Sequence, residues 1–313
     1  VGLALVLLLV AIGVRVAVRG PSEVESVIAI PPATAGDLTL LFFGDSGTGS
    51  KVQEQVAAAM IEVCARLSCD AGLVLGDAVY FDGPLPDDRA PWLDRVMGTP
   101  YAALGTQPGF RLYAVSGNHD LRAGLQAIRA WAERDPIWSF PDLSFPVPGL
   151  PEWIHVFGIF TPPVFKLDDD DARADPLRDP HAPLAAAESF LCAPGREGWK
   201  ILFGHHPLFS TTHGRSKRLA KRLLPLIERC GVDLYLSGHA HQQEHIHTAQ
   251  VEQLIQGAAG VVRSAGGWFA WGPRSSFLSE EPGFGVLRAA ESALHVNYFD
   301  AQGTAIYSWQ TER

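Results

Sequence analysis

Residues 38–45 read Leu-Thr-Leu-Leu-Phe-Phe-Gly-Asp: an apolar run without helical period, a glycine that lets the backbone turn, and a carboxylate where the run ends. A short apolar run bounded by a turn signal is a buried strand. The pattern recurs four times. Gly72 to Leu75 leads to Gly76-Asp77, and Arg111 to Val115 leads through Ser116 to Gly117-Asn118-His119. Lys200 to Phe203 leads to Gly204-His205, and Val232 to Leu236 leads through Ser237 to Gly238-His239, with His241 two residues beyond. Between these runs the period changes: Val52, Val56, Met60, Val63 and Leu67 recur every three or four residues, which is one face of a helix. Successive glycine-ligand blocks lie roughly 30–40 residues apart within each half, the length of a strand plus a crossover helix. Such βαβ alternation puts the carboxyl ends of the strands on one edge of the sheet, where α/β proteins bind their ligands. Asp45, Asp77, Asn118, His205, His239 and His241 are therefore expected to converge.

Each block alone says little, because Gly-Asp is a common turn and a single histidine after a strand is usually a satisfied polar group. Five coincident strand ends are hard to explain by folding alone. Carboxylates, an amide oxygen and imidazoles together suit first-row metals; the set lacks the thiolates of a structural zinc site and is too rich in nitrogen for Ca²⁺. Six ligands exceed what one open catalytic metal needs. They suit two metals ~3.5–4 Å apart that share a carboxylate and clamp a phosphoryl group.

Taken in order, Gly44-Asp45-Ser46-Gly47, Gly76-Asp77-Ala78-Val79-Tyr80, Gly117-Asn118-His119-Asp120, Gly204-His205-His206-Pro207 and Gly238-His239-Ala240-His241 resemble the five-block signature of the calcineurin-like metallophosphoesterases. Within them the chain is most similar to the purple acid phosphatases, and among those to the short, tartrate-resistant branch. The resemblance spans residues 37–313 and implies one domain there, a four-layer αββα sandwich with a binuclear metal site at the carboxyl ends of its strands. Carried over by position, it implies that Asp45, Asp77, Tyr80 and His241 hold one metal and that Asp77, Asn118, His205 and His239 hold the other, with Asp77 as the bridge. Tyr80 marks the branch, because purple acid phosphatases use this phenolate to hold Fe(III). A phenol with an ordinary pKa of about 10 ionises only beside a strong Lewis acid. The implied cofactors are Fe(III) and a divalent ion, Fe, Zn or Mn. The implied reaction is hydrolysis of phosphomonoesters, with a hydroxide formed at the metals attacking phosphorus in line with the leaving alcohol. In that scheme His119 protonates the alcohol or donates to a phosphate oxygen, and His213, in the loop after the fourth block, assists. A phosphodiesterase or nucleotide hydrolase on the same fold is the alternative activity. A non-enzymatic scaffold would be favoured by missing ligands, and all seven are present.

Two rival readings of the first block fail on spacing and order. Residues 44–51, Gly-Asp-Ser-Gly-Thr-Gly-Ser-Lys, are close to a P-loop, but Lys51 follows Ser50 instead of preceding a hydroxyl residue. Gly44-Asp45-Ser46-Gly47 also matches the nucleophile block of chymotrypsin-like proteases, yet no histidine occurs before His119, whereas their order is His, Asp, Ser.

The chain of 313 residues is 47% hydrophobic and 19% charged, so it can bury a full core. Its 25 Lys and Arg against 34 Asp and Glu give a net charge of -9, which argues against a nucleic-acid surface and is compatible with multivalent cations. Residues 1–14 form an uncharged aliphatic run, long enough for a signal-peptide core and shorter than the ~20 residues that span a bilayer. An Ala33-Thr34-Ala35 triplet stands far beyond it, so residues 1–36 are expected to form an uncleaved membrane tether and linker. Arg15 and Arg19 would oppose an outward-facing orientation unless stronger positive charge lies upstream. Four cysteines fit export to a periplasmic, extracellular or outward membrane-anchored location. They allow three connectivities. The expected pairs are Cys64 with Cys69, which are local, and Cys192 with Cys230, each after a helical stretch that precedes a strand. Asp168 to Asp171 read as a solvated loop, and His245 and His247 as residues outside the ligand set. A monomer acting on a phosphate ester is expected.

Overall fold

The computed structural model describes residues 36–81, 89–166, 176–263 and 275–313, together with Ile28, Ile30 and Thr34. The apolar segment 1–14 and the acidic run 168–171 lie outside the described residues. Among those described, no helix is long and apolar enough to cross a membrane.

The strands sort into two seven-stranded sheets and one small ribbon. The first sheet has a parallel half of β1 (Leu38–Phe43), β2 (Ala71–Val74), β3 (Leu112–Ala114) and β4 (Trp138–Ser139). Antiparallel strands β14 (Gly283–Ala289), β15 (Ala293–Asp300) and β16 (Ala305–Glu312) extend it from the β1 side. The second sheet has parallel β6 (Ile154–Ile159), β7 (Trp199–Gly204), β10 (Leu234–Ser237) and β12 (Glu252–Gln256). Antiparallel β5 (Phe145–Pro146) flanks one side of it, and β11 (Gln243–His247) and β13 (Ser275–Ser279) flank the other. The ribbon pairs β8 (Phe209–Ser210) with β9 (Gly214–Arg215).

The five glycine-ligand strands are thus divided, three in one sheet and two in the other, as the two-sheet sandwich implied by the resemblance requires; βαβ alternation by itself places them along one sheet edge. Both faces of each strand are buried, so its apolar run carries no mark of which sheet it joins. The alternation along β1 shows how the layers are built. Leu38, Leu40 and Phe42 pack between the sheets with Ile201, Phe203, Leu234 and Leu236, while Leu41 and Phe43 face the opposite way, towards helices. Helices α1 (Lys51–Leu67), α2 (Ala90–Leu93), α3 (Thr99–Tyr101), α4 (Asn118–Ala123) and α5 (Leu125–Ala132) cover the first sheet, each with at least one buried residue in that outer core. Helices α6 (Pro162–Lys166), α7 (Ala182–Leu191) and α8 (Lys217–Cys230) cover the second. The result is the expected αββα sandwich.

Helix α1 forms where the sequence period indicates. Ser50 caps it, its side chain accepting from Gln53 N; Glu54 and Arg66 complement the helix dipole, and Ser68 ends it in a left-handed conformation. The Cys64–Cys69 disulfide ties that end to the approach of β2, and Cys192–Cys230 joins the ends of α7 and α8, each just before its strand.

Candidate metal centre

Every predicted ligand comes from a strand's carboxyl end or the turn just after it, and the two sheets bring these ends together. Asp45 and Asp77 follow β1 and β2, Asn118 opens α4 after β3, His205 follows β7, and His239 and His241 follow β10. Asp45, Asp77 and His205 are fully or almost fully buried. Their ligand atoms lie within 4.8 Å of one another, which joins the side chains of the two sheets.

The donors fall into two groups. In one, the Tyr80 hydroxyl lies 2.7 Å from Asp45 Oδ1 and 3.0 Å from His241 Nε2, and His241 Nε2 lies 3.2 Å from Asp45 Oδ1. In the other, His205 Nε2 lies 3.2 Å from each of Asn118 Oδ1, His239 Nδ1 and Asp77 Oδ2. His205 Nδ1 is 2.9 Å from the Leu75 carbonyl, which can only accept, so Nδ1 carries the proton and the Nε2 lone pair faces the cluster. An imidazole lone pair, an amide oxygen and a carboxylate oxygen crowded at hydrogen-bond distance repel one another unless a cation lies among them. Among the described residues, buried Asp77 Oδ2 faces His205 Nε2 alone, whereas its Oδ1 accepts from His119 N at 2.8 Å. A buried carboxylate oxygen opposed only by an imidazole nitrogen within such a donor set fits a metal.

The electrostatics show what a cation would replace. Burial alone would lower the pKa of His205, but Asp77 and Asp45 outweigh it and hold the imidazole up at about 9, so without a metal a proton sits on Nε2 facing Asp77, and a cation there would take its place and leave the lone pair as a ligand. Burial would likewise raise Asp77, but His205 and then His119 outweigh it and hold the carboxyl down at about 2. His239 is kept neutral, down at about 2, first by burial and then by the charge on His205. Tyr80 is held far above the usual phenol range by burial and by the carboxylates of Asp45 and Asp77, so its ionisation requires a strong positive charge.

The backbone is strained here. Asp45, Asp77, His239 and His241 all have positive φ, at 57°, 52°, 66° and 29°. For residues with a Cβ this costs ~1–3 kcal/mol each and persists where surrounding structure enforces it. Two glycines make room for the carboxylates: a Cβ on Gly117 would fall 2.1 Å from Asp77 Oδ1, and one on Gly238 would fall 2.5 Å from Asp45 Oδ2.

Of the two predicted catalytic histidines, His119 is tightly held. Its ring lies 4.3 Å from that of Tyr80, and burial holds its pKa below the usual value. His213 is more open. Its ring is 5.0 Å from that of His239, its backbone N–H donates to Ser210 Oγ at 2.9 Å, and partial desolvation and the charge of Arg263 lower its pKa. It lines a cleft of about 260 Å³ together with His239, Phe165, Lys166, Pro207 and Arg215. His245 and His247 bind Glu252 and, for His245, the Tyr307 hydroxyl.

Sequence reasoning missed Asp120. This fully buried carboxylate accepts from the backbone N–H groups of Asp77, Val79 and Gly117 at 2.8–2.9 Å, so it fixes the turn that carries Asp77 and Tyr80. Burial and the Asp77 charge push its pKa up to about 7. The available signal was an acid three residues after Gly117, the helix N3 position. His206 was also passed over. It groups with His205 and His239, but its Nδ1 is engaged by Thr161 Oγ1 at 2.9 Å and its ring stacks on Phe165.

Comparisons with known proteins identify the family. The family profile described as calcineurin-like phosphoesterase matches residues 38–243. Purple acid phosphatase 3 of Arabidopsis thaliana is 30% identical over 304 residues, covering 90% of this chain and 79% of that protein. Tartrate-resistant acid phosphatase type 5 of Sus scrofa is 25% identical over 284 residues, covering 82% and 80%. Among solved structures, GAP50, described as the anchor in the inner membrane complex of Plasmodium, superposes with a TM-score of 0.73 at 18% identity over 88% of this chain and 89% of that one, a likeness of fold alone. The chain belongs to the calcineurin-like phosphoesterases and, within them, to the purple acid phosphatases.

Proposed function

We propose that the protein is an exported acid phosphatase that hydrolyses phosphomonoesters at an Fe(III)–M(II) centre, M being Fe, Zn or Mn. The observation that carries the reading is the convergence of two donor groups, Tyr80, Asp45 and His241 in one and Asn118, His205, His239 and Asp77 in the other, joined where the ligand atoms of Asp45, Asp77 and His205 lie within 4.8 Å of one another. Asp45, Tyr80 and His241 would hold Fe(III), Asn118, His205 and His239 the divalent ion, and Asp77 both. When bound, the two cations supply the Lewis acidity that makes a water nucleophilic and offsets charge on the phosphoryl oxygens.

The chain's own residues do the rest. The Leu75 carbonyl fixes the tautomer of His205, and Asp120 fixes the Asp77 turn. His119, held to Asp77 through its backbone N–H, gives a proton to the leaving alcohol oxygen. His213, on the rim beside His239, donates a hydrogen bond to a phosphoryl oxygen. The two disulfides support an oxidising compartment, and residues 1–14 would deliver the chain there or tether it.

The test is turnover of an aryl phosphomonoester against the matching diester, with and without removal of metal by a chelator. The expected result is monoester hydrolysis, fastest at acidic pH and abolished by chelation. Preferential diester hydrolysis would move the reading to a phosphodiesterase. No hydrolysis of either by the metal-loaded protein would leave a scaffold.

A further inference from the structure

Glu244 is fully buried in β11, three residues after the predicted ligand His241, and the chemistry above leaves it without a role. Among the described residues its side-chain partners are neutral donors. Oε1 accepts from the Thr211 and Ser275 hydroxyls, Oε2 accepts from Gln242 Nε2, and Thr211 N lies 3.2 and 3.1 Å from the two oxygens. Gln242 continues the network on its other side, its Oε1 accepting from Thr212 Oγ1 at 3.2 Å.

These donors share a location. Thr211, Thr212 and His213 form the tip of the ribbon between β8 and β9, whose own pairing is limited to Phe209 with Arg215 and Ser210 with Gly214. A ribbon of two-residue strands has little stability of its own. Two of the three tip residues are instead clamped to Glu244 and Gln242, on the segment that continues directly from His239 and His241. The third is His213, whose ring lies over His239.

We infer that Glu244 is a positioning residue for His213: its carboxylate locks the Thr211–Thr212 tip onto the strand that follows the metal ligands, and so fixes His213 over the site. The inference rests on the proposed contact between His213 and the phosphoryl group. The residue type follows from donor count. A carboxylate offers about four lone-pair sites and no proton, which matches the Thr211 N–H, the two hydroxyls and the Gln242 amide. A glutamine here would offer one acceptor oxygen and turn its own NH₂ towards two donors.

The test is a double-mutant cycle on the metal-loaded protein, read as kcat/KM for an aryl phosphate, with metal content and thermal unfolding recorded for each variant. Glu244→Gln is expected to lower kcat/KM by ~10–100-fold, the usual loss when an outer partner of a site is removed, with both metals retained. In a His213→Ala background the same change should cost nothing further. Thr211→Val, which removes one donor from the other side, should repeat the loss and the coupling, and Thr211→Ser should restore activity; this pair decides the matter if Glu244→Gln does not fold. Independent, multiplying losses would overturn the inference, as would loss of metal in Glu244→Gln or wild-type activity in both Glu244→Gln and Thr211→Val. A silent His213→Ala would remove the role of His213 itself, and the inference with it.

Discussion

The Tyr80 hydroxyl donates to Asp45 Oδ1 at 2.7 Å, across the gap between the turns after β2 and β1, and His241 Nε2 lies 3.0 Å from that hydroxyl. A phenol held between a carboxylate and an imidazole in a buried site keeps its proton unless a cation replaces it. Iron loading should therefore displace the Tyr80 proton and produce a visible phenolate-to-Fe(III) absorption band. Tyr80→Phe keeps the ring against His119 and removes the oxygen, so the band should vanish. A band unchanged in Tyr80→Phe would mean that another group colours the site.

Glycine substitutions separate space from backbone conformation. A Cβ at Gly117 would strike Asp77 Oδ1 at 2.1 Å and Asp77 N at 2.7 Å, and the backbone atom cannot move aside. Gly117→Ala should lose metal and activity together. Gly231, with φ +63° and open space around it, ends α8. Gly231→Ala should cost only about 1 kcal/mol, the ordinary penalty of a left-handed alanine, with full metal content. Metal titration of the two variants beside thermal unfolding checks both, and a metal-replete, active Gly117→Ala would contradict the packing described.

His119 donates its backbone N–H to Asp77 Oδ1, and its ring packs beside that of Tyr80 with no ring nitrogen assigned to a metal. His119→Ala should keep both metals and reduce kcat by ~10²–10⁴ for alkyl phosphates, whose leaving groups need a proton. The loss should be clearly smaller for an activated aryl phosphate. Equal losses across a leaving-group series would reduce His119 to orienting the phosphate.

The two disulfides differ in the loop they close, with sequence separations of 38 and 5. On chain-entropy grounds, removing Cys192–Cys230 should cost about 4 kcal/mol and removing Cys64–Cys69 about 2 kcal/mol. Chemical unfolding of the paired Cys→Ser variants measures this, and the reverse order would show that packing at the α1 terminus matters more than loop length.

Six of the seven candidate donors were legible because each follows a short apolar run and a backbone turn, two signals that survive without knowledge of neighbours; Tyr80 was legible only through the family resemblance. Helix α1 was legible from Val52 to Leu67 for the same reason, since its period and its Ser50 cap are local. The partition of strands between two sheets was not. Leu40 and Leu41 look alike in sequence, yet one faces the second sheet and the other faces helices. Asp120 and Glu244 escaped because a buried carboxylate is recognised by the donors that converge on it. For Glu244 these come from residues 33 and two positions earlier and 31 positions later. The antiparallel pairing of β14 with β1 is equally non-local.

A binuclear centre requires the donor cluster to take two metal ions. Elemental analysis of the reconstituted wild-type chain, beside Asp77→Asn, counts them directly. The expected result is two metals per chain, one of them iron, in the wild type, and loss of metal and phosphatase activity together in Asp77→Asn, which removes the carboxylate charge and replaces one of its oxygens with an NH₂ that cannot ligate. One metal or none in the wild type, or two retained in Asp77→Asn, would contradict a binuclear centre bridged by Asp77.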